Sequence, residues 1–280
     1  MATNITTNYA GEDMKVLLGK AVYGNKTLSS DRLTVVNDVR FKLPLKKMST
    51  SGLLAAATCD YTDAGTLTLT EKTLIPFDFQ LNKTECKLTF DSYWNPLEGE
   101  LSDYIANYYA KATAAELETL MWASTTASTI NGLVYKATQD SDVIDVTGTT
   151  LSVSNIQAEL TKVYVAIPDA LKNDPDMTIF LSPSALGYWR IAQGYAAVTN
   201  NGGTMDNFNG IRLQECGIST NRMFAVHKSN LVAGSKMISG ANEVSIIDTA
   251  ATLGDKNIRF VMNFSFDIDF IDGTEVVLYQ

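Results

Sequence analysis

The chain carries little positive charge for its size. Its 280 residues include 22 lysines and arginines against 31 aspartates and glutamates, so the formal net charge is −9. No basic run stands out beyond Lys42, Lys46 and Lys47. Because nucleic-acid-binding surfaces present clustered positive charge, this balance disfavours a dedicated DNA- or RNA-binding protein.

Cysteine is also scarce, and long apolar runs are missing. Cys59, Cys86 and Cys216 are far apart, odd in number and without CxxC spacing, so we expect free thiols and a cytoplasmic folding environment. The first residues lack the charged-then-apolar pattern of a signal sequence. No apolar run reaches 18 residues, and we therefore expect no membrane-spanning helix.

Motifs for nucleophilic catalysis and phosphate binding are missing as well. The one histidine, His227, has no GxSxG serine to activate, and Cys216 eleven residues before it does not by spacing alone make a dyad. Gly202 and Gly203 lack the GK[ST] or GxGxxG context of a phosphate-binding loop. We predict no catalytic and no cofactor-binding residues.

Three aspartates near the C-terminus, Asp267, Asp269 and Asp272, invite a metal-site hypothesis. They do not follow the spacing of an EF-hand. The first two occupy the polar side of an alternating strand, and that pattern accounts for them without an ion. We predict no metal site, and no cofactor is expected.

The longest helical pattern runs from Leu101 to Ala123, with no proline or glycine inside it. At about 1.5 Å per residue such a helix is roughly 35 Å long. Apolar or half-apolar residues recur at the three- and four-residue spacing of one helical face. They are Leu101, Ile105, Tyr108, Tyr109, Ala112, Leu117, Leu120 and Met121. The aromatic groups Tyr104/Tyr108/Tyr109 and Tyr188/Trp189 are expected to be packing surface.

Residues before this helix predict an arm followed by a β-ribbon. Glu12–Tyr23 favours a short helix, Leu33–Leu45 is strand-like as far as Pro44, and the small residues after it suggest irregular structure. Residues 60–90 alternate threonines with leucines and then carry two phenylalanines in alternation, which predicts strands interrupted at Pro76. A two-stranded ribbon buries too little surface to be stable alone and needs a partner surface.

Residues after Ser124 predict a compact α/β unit. Ser154 with Gln157 suggests a capping box for a helix that Pro168 ends or kinks. MTIFL at 177–181 predicts a buried strand, and Ser182-Pro183 predicts a helix start. Shorter strands are expected at 133–137, 211–213, 223–226 and 237–238, and a loop is expected at 231–235.

The C-terminal residues show the clearest alternation in the chain. Between Ile258 and Ile271, apolar residues occupy every second position, with Val261 as an exception, and Glu275–Tyr279 predicts a last strand returning after a turn at Asp272-Gly273. The apolar face is long, and we expect the helix at 101–123 to cover it. Copies that join through different exposed patches form rings or closed assemblies.

In this order the elements resemble a tailed-bacteriophage major capsid protein of the Hong Kong 97 fold, from about residue 12 to 280. The resemblance is carried by the ribbon, the long helix, SNIQAELTKVYVAIPDAL, MTIFLSPSALGYWRIAQG, FNGIRLQECGI, NRMFAVHKSNLVAGSKM and the final strands. It implies an α+β chain with an N-terminal arm (1–59), an E-loop ribbon (60–98), a P domain with its spine helix (99–130), an A domain (131–254) and return strands of the P domain (255–280).

The resemblance further implies a non-enzymatic shell subunit of the virion. Copies would form hexamers and pentamers of an icosahedral head around double-stranded DNA, without sequence-specific binding and without a membrane. Assembly would take place in the host bacterial cytoplasm, and scaffolding, portal and decoration proteins are the implied partners. Some members cross-link through lysine and asparagine, but we assign no cross-link to Lys72, Lys83 or Lys87.

Three other functions were weighed. The first is an encapsulin-like cellular compartment shell, which would need a pocket for a cargo tail. The second is a tail-tube protein, although the strand–helix–strand unit after Ser154 disfavours that mostly-β class. The third is an enzyme, for which the sequence offers no positive motif.

Overall fold

The computed structural model describes residues 7–9, 12–39, 41–54, 65–86, 101–125, 129–196, 206–236, 244–249, 253–255 and 257–280. The helices in this part are α1 (Glu12–Tyr23), α2 (Leu101–Met121), α3 (Leu133–Gln139), α4 (Ile156–Ala166) and α5 (Pro183–Ala196). The strands are β1 (Thr7–Tyr9), β2 (Thr34–Asn37), β3 (Leu43–Ser51), β4 (Thr66–Leu74), β5 (Phe77–Cys86), β6 (Ile144–Val146), β7 (Met177–Leu181), β8 (Asn207–Phe208), β9 (Ile211–Glu215), β10 (Met223–His227), β11 (Leu231–Lys236), β12 (Val244–Asp248), β13 (Asn257–Phe270) and β14 (Val277–Tyr279). The strand expected at 237–238 lies outside the described residues. Residues 200–210, whose composition suggests a loop, are described only from 206, and there Asn207–Phe208 form β8.

The long strand β13 organises the first sheet. Its order is β1-β12-β13-β11-β2, and β5 pairs with the opposite edge of β13. The apolar residues of β13 are buried as the alternation predicts: Ile258, Phe260, Met262, Phe264, Phe266, Ile268 and Phe270. The expected loop at 231–235 is wrong, because these residues form β11 and pair with the second half of β13.

Helix α2 packs in the same core as β13 and against α1, as the length of the apolar strand face led us to expect. Tyr109 stacks on Phe260 with ring centroids 5.0 Å apart. The packed face is rotated from the predicted one, since Tyr108 is 59% exposed and Ala112 is exposed as well. Three small residues, Ala106, Ala110 and Ala114, are buried in the contact, and Leu117 and Met121 continue it. The small size of the alanines lets α2 approach its neighbours closely.

The second sheet has the order β6-β14-β10-β7-β9-β8 and its own core, to which α4 and α5 contribute. All five residues of β7 are buried, which confirms the predicted interior strand. Strand β14 joins this sheet by pairing with β10 and β6. It therefore does not lie beside β13, where the final strand was expected. Residues 133–137, expected as a strand, form α3, with Leu133, Val134 and Ala137 buried.

The helix boundaries agree only in part with the sequence signals. The capping box is wrong: Asn155 is the N-cap of α4 and makes no side-chain cap hydrogen bond. The helix ends at Ala166, just before Pro168, as proline geometry requires. Ser182 does cap α5, since its Oγ accepts a hydrogen bond from the Ala185 N–H at 3.2 Å. None of the helices in the described ranges is long and apolar enough to cross a bilayer.

Buried Glu118 ties α2 to two other segments. Its carboxylate accepts hydrogen bonds from the Thr27 N–H at 3.1 Å, the Thr27 hydroxyl at 2.6 Å and the Gly217 N–H at 2.7 Å. The Trp122 indole N–H donates to the same Thr27 hydroxyl at 2.8 Å. This network joins the two sheet-bearing halves of the molecule through one helix.

Candidate assembly surface

A two-stranded antiparallel ribbon extends from the first sheet. It consists of β3 and β4, paired from Leu43↔Leu74 to Ser51↔Thr66. Its first strand precedes the segment 60–98 in which the ribbon was expected, and the irregular stretch expected after Leu45 is wrong as far as Ser51. Strand β5, expected in the ribbon, pairs with β13 instead. Pro76 separates β4 from β5, as predicted.

One face of the ribbon packs on the body at its base. Leu45 and Leu74 share this face, because Leu74 pairs with Leu43 two residues away from Leu45. Both are buried and form a small apolar cluster with Val232 of β11. The base of the ribbon is therefore anchored by its own short hydrophobic core.

Ion pairs on the same face strengthen this anchor. Lys47 pairs with Glu275, and Lys72 Nζ lies 2.6 Å from Asp140 Oδ2 and 3.9 Å from the centroid of the Phe270 ring. Burial alone would raise the pKa of Asp140, but the hydrogen bonds from Lys72 and the Asp142 N–H, together with the charge of Lys72, outweigh it and lower that pKa. The two lysines, one on each strand, hold the base of the ribbon against the turn after β13 and the end of α3.

The opposite face of the ribbon is exposed, with the Lys46–Glu71 ion pair nearer its base and apolar side chains further out. Met48 pairs with Leu69, and Leu67 lies two residues further along the same face. These side chains are 70%, 53% and 68% exposed, respectively. Three large apolar side chains in a row on a solvent-facing ribbon are typical of a surface that meets another protein.

The outer end of the ribbon depends on glycine. Gly52 and Gly65 have φ values of +68° and +86°. A Cβ on Gly65 would lie 2.4 Å from the Ser51 carbonyl oxygen, so only glycine allows the two strands to approach there. Beyond Gly52, Leu53 and Leu54 are exposed, Leu54 at 97%.

Helix α2 adds a second pair of exposed side chains. Tyr104 and Tyr108 are 55% and 59% exposed, on the side of the helix away from the core. We expected these tyrosines to be packing surface. In this single chain both remain more than half exposed.

Comparison with solved structures identifies the fold of the chain. No protein-family profile and no curated protein matches the chain. The capsid of an empty GTA particle matches with a TM-score of 0.62 at 9% identity, over 93% of this chain and 89% of that one. The satellite phage P4 procapsid that includes the Sid protein matches with a TM-score of 0.63 at 12% identity, over 98% and 92%. A virus-like particle from Pyrococcus furiosus matches with a TM-score of 0.56 at 10% identity, over 96% and 98%.

The chain has the Hong Kong 97 capsid fold. Identities of 9–12% show the fold alone, and they explain why sequence profiles do not detect it. The α+β class and the resemblance inferred from the order of elements are confirmed.

Within the described residues, the cysteine and histidine side chains singled out in the sequence lie apart. Cys216 is fully buried in the core shared by α2 and β13, where burial raises the pKa of its thiol well above the usual range. It is therefore unsuited to act as a nucleophile. Cys86 is a free, exposed thiol at the end of β5. Cys59, Gly202 and Gly203 lie outside the described residues.

The three C-terminal aspartates are split between two environments. Lys136 of α3 lies 2.9 Å from Asp267 and 3.4 Å from Asp269. Burial raises the pKa of Asp267 despite that cation. Asp272 instead accepts hydrogen bonds from Thr274 in the next turn. Asp267 is only 8% exposed, so its side of β13 is covered by α3 and does not face solvent.

The sequence analysis missed one cluster. His227 lies beside Asp174 and Asp176. One imidazole nitrogen and one oxygen of each carboxylate all lie within 4.8 Å of one another. The two aspartates precede β7, while His227 ends β10. Only the pairing of these strands brings the three together, and no local sequence signal could have found them.

Proposed function

We propose that the chain is the major capsid subunit of a tailed-phage-like particle. Copies form hexamers and pentamers that close into an icosahedral shell around double-stranded DNA. The subunit has a structural role and no catalytic one, is part of the virion and assembles in the host cytoplasm. Scaffolding, portal and decoration proteins are the partners we expect.

The observation that carries this proposal is the β3–β4 ribbon within a capsid fold. The fold matches capsid subunits over more than nine-tenths of the chain. The ribbon, anchored on one face, presents Met48, Leu67 and Leu69 on the other. A neighbouring copy of the chain is the surface that would cover them. The acidic net charge of −9 also suits a container, because strong phosphate neutralisation would hinder DNA packaging and release.

We propose a division of the chain that follows the sheets. The E-loop corresponds to β3 and β4, and the P domain contains α1, α2 and the sheet of β13. The A domain contains the second sheet with α4 and α5. Compared with the boundaries 60–98, 131–254 and 255–280 drawn from the sequence, this division moves β3 into the E-loop, β11 and β12 into the P domain, and β14 into the A domain.

A paired substitution on the ribbon tests the proposal. Leu69→Asp places a charge on the exposed apolar face, while Thr68→Asp places the same charge on the opposite face one residue away. Electron microscopy and light scattering of each chain, alone and with its scaffold, measure assembly. We expect closed shells, or rings of five and six, from the unaltered chain and Thr68→Asp, and their loss in Leu69→Asp with unchanged folding.

An encapsulin-like compartment is the second candidate, supported by the match to the Pyrococcus furiosus particle. It differs in having an enzyme as cargo in place of DNA. Particles that package a co-expressed enzyme but no DNA would favour this second function. A chain that stays monomeric with scaffold present would contradict both.

A further inference from the structure

The β3–β4 ribbon is joined to the body of the molecule by side chains and not by a shared sheet. Within the described residues, its two strands pair only with each other. Pro76 interrupts the chain between β4 and β5, and proline cannot donate a ladder hydrogen bond there. A ribbon attached in this way can separate from the body without breaking the strand pairing of either large sheet.

The apolar part of this attachment is small. Leu45 and Leu74 of the ribbon and Val232 of β11 form a cluster that is separate from the two larger cores. Regions with few buried apolar contacts open at a lower free energy than the whole molecule. We therefore expect the base of the ribbon to open more readily than the body.

The two faces of the ribbon differ in charge. The anchored face carries Lys47 and Lys72 and no carboxylate, as the alternation of side chains along the paired strands shows. On the opposite face, Lys46 lies 3.3 Å from Glu71, which balances its charge. Lys47 and Lys72 are diagonal neighbours, since Lys72 pairs with Leu45. If this face were uncovered, the two like charges would repel each other.

The body presents the opposite charge to the anchored face. The turn after α3 carries Asp140 and Asp142, and the turn after β13 carries Asp272 and Glu275. These two turns are in contact, because a Cβ on Gly273 would lie 3.1 Å from Asp140 Oδ1 and 3.1 Å from Asp142 Cβ. Four carboxylates are therefore gathered where the ribbon meets the body.

The ribbon lysines supply the cations for these carboxylates. Lys72 Nζ lies 2.6 Å from Asp140 Oδ2, and Lys47 pairs with Glu275 and lies 3.6 Å from Asp272 Oδ2. The paired side chains are 13% to 28% exposed, so dissolved salt reaches them and weakens their attraction.

We propose that the ribbon is an electrostatically docked element that lifts from the body as one unit, with Lys47 and Lys72 setting how often it does so. Docking relieves the repulsion between the two lysines and the repulsion among the four carboxylates. Salt, or the loss of either lysine, should therefore favour the lifted position while the body stays folded. The inference concerns the single chain and does not depend on the proposed shell function.

A thiol placed beneath the ribbon reports on lifting. Val232→Cys introduces one at a side chain that is 5% exposed and covered by the ribbon. Cys59 and Cys86 are changed to serine, which leaves Cys216, fully buried in the main core, as the internal reporter on unfolding of the body. A thiol reagent is added to the unassembled chain, and mass spectrometry of the digested peptides follows the two thiols separately. We expect the introduced thiol to react faster than Cys216.

Lysine substitutions in this background decide what holds the ribbon down. Lys47→Met and Lys72→Met should each raise the reaction rate of the introduced thiol about fivefold, the upper range for an ion pair partly open to water. Raising the salt concentration from about 0.05 M to about 0.5 M should accelerate the reaction in the parent and have little effect in the double variant. The control is Lys46→Met, which removes a lysine from the opposite face and should leave the rate unchanged.

Two results would overturn the proposal. If the introduced thiol reacted only as fast as Cys216, the ribbon would separate only when the body unfolds. If its rate responded neither to the two lysines nor to salt, the docking would not be electrostatic. Circular dichroism and an unchanged rate at Cys216 verify that each variant is folded.

Discussion

Replacing Glu118 with alanine is the sharpest test of how the two halves of the molecule are joined. Glu118 is 7% exposed and Thr27 is fully buried. The substitution removes the acceptor for two backbone N–H groups, those of Thr27 and Gly217. Thr27 is closed to water, so its N–H is left unsatisfied, whereas Gly217 is exposed and its N–H can bond to water instead.

The magnitude follows from those donors. A buried donor that loses its partner destabilises a protein by about 1–3 kcal/mol, and here the Thr27 N–H is that donor. The Thr27 hydroxyl can rotate towards another acceptor and adds little. We expect Glu118→Ala to lower the free energy of unfolding by about 2 kcal/mol, a sizeable share of the roughly 5–15 kcal/mol typical of a protein. Glu118→Gln keeps one acceptor oxygen and should lose about half as much.

Urea unfolding of the unassembled chain, followed by tryptophan fluorescence, measures the effect. The control is Glu116→Ala, two residues earlier on the same helix but exposed, which should change stability by less than about 0.5 kcal/mol. If Glu118→Ala fell within about 1 kcal/mol of this control, the claim that the carboxylate holds α2 to both segments would be refuted.

Two further predictions concern the ribbon and the second sheet. Gly65→Ala places a Cβ against the Ser51 carbonyl oxygen, so amide hydrogen exchange in β3 and β4 should accelerate while global unfolding is unchanged; unaltered exchange would contradict the close approach. Burial alone would raise the pKa of Glu159, but hydrogen bonds from Lys162 and Tyr279 outweigh it and lower that pKa. Its stabilisation is therefore present above the unfolded-state pKa and is lost as the pH falls through the lower folded-state pKa. The difference in unfolding free energy between the unaltered chain and Glu159→Gln should shrink from about pH 6 to pH 3, and a constant difference would refute the assignment.

Sequence analysis predicted those parts of the fold whose apolar side chains are buried against other elements of the same chain. Strand β13 alternates because one of its faces meets the core shared with α2. Four of the five residues of β7 are apolar, and all five, including Thr178, are buried. In such elements the period of the apolar residues is set by the backbone geometry alone, so no knowledge of the partner is needed.

The missed strands depend on distant partners. β11 contains Ala233, Gly234 and Ser235, a composition that suggests a loop. A Cβ on Gly234 would lie 2.7 Å from Leu74 Cδ2, so the glycine makes room for the anchor of the ribbon, which is far away in sequence. The cluster of Asp174, Asp176 and His227 is equally invisible, because these residues meet only through the pairing of β7 with β10.

Two further errors involve side chains that stay exposed in a single copy. The helix stripe predicted from the sequence is buried at Ile105, Leu117 and Met121, but its Tyr108 is exposed. The second half of β3 was expected to be irregular because its residues are small, and its Met48 is exposed beside its partner Leu69. The apolar pattern of a sequence reflects burial of side chains within the chain and also burial against other molecules. Where such residues stay exposed in a single copy, the sequence pattern and the fold disagree, and we infer that these positions mark the contacts between subunits.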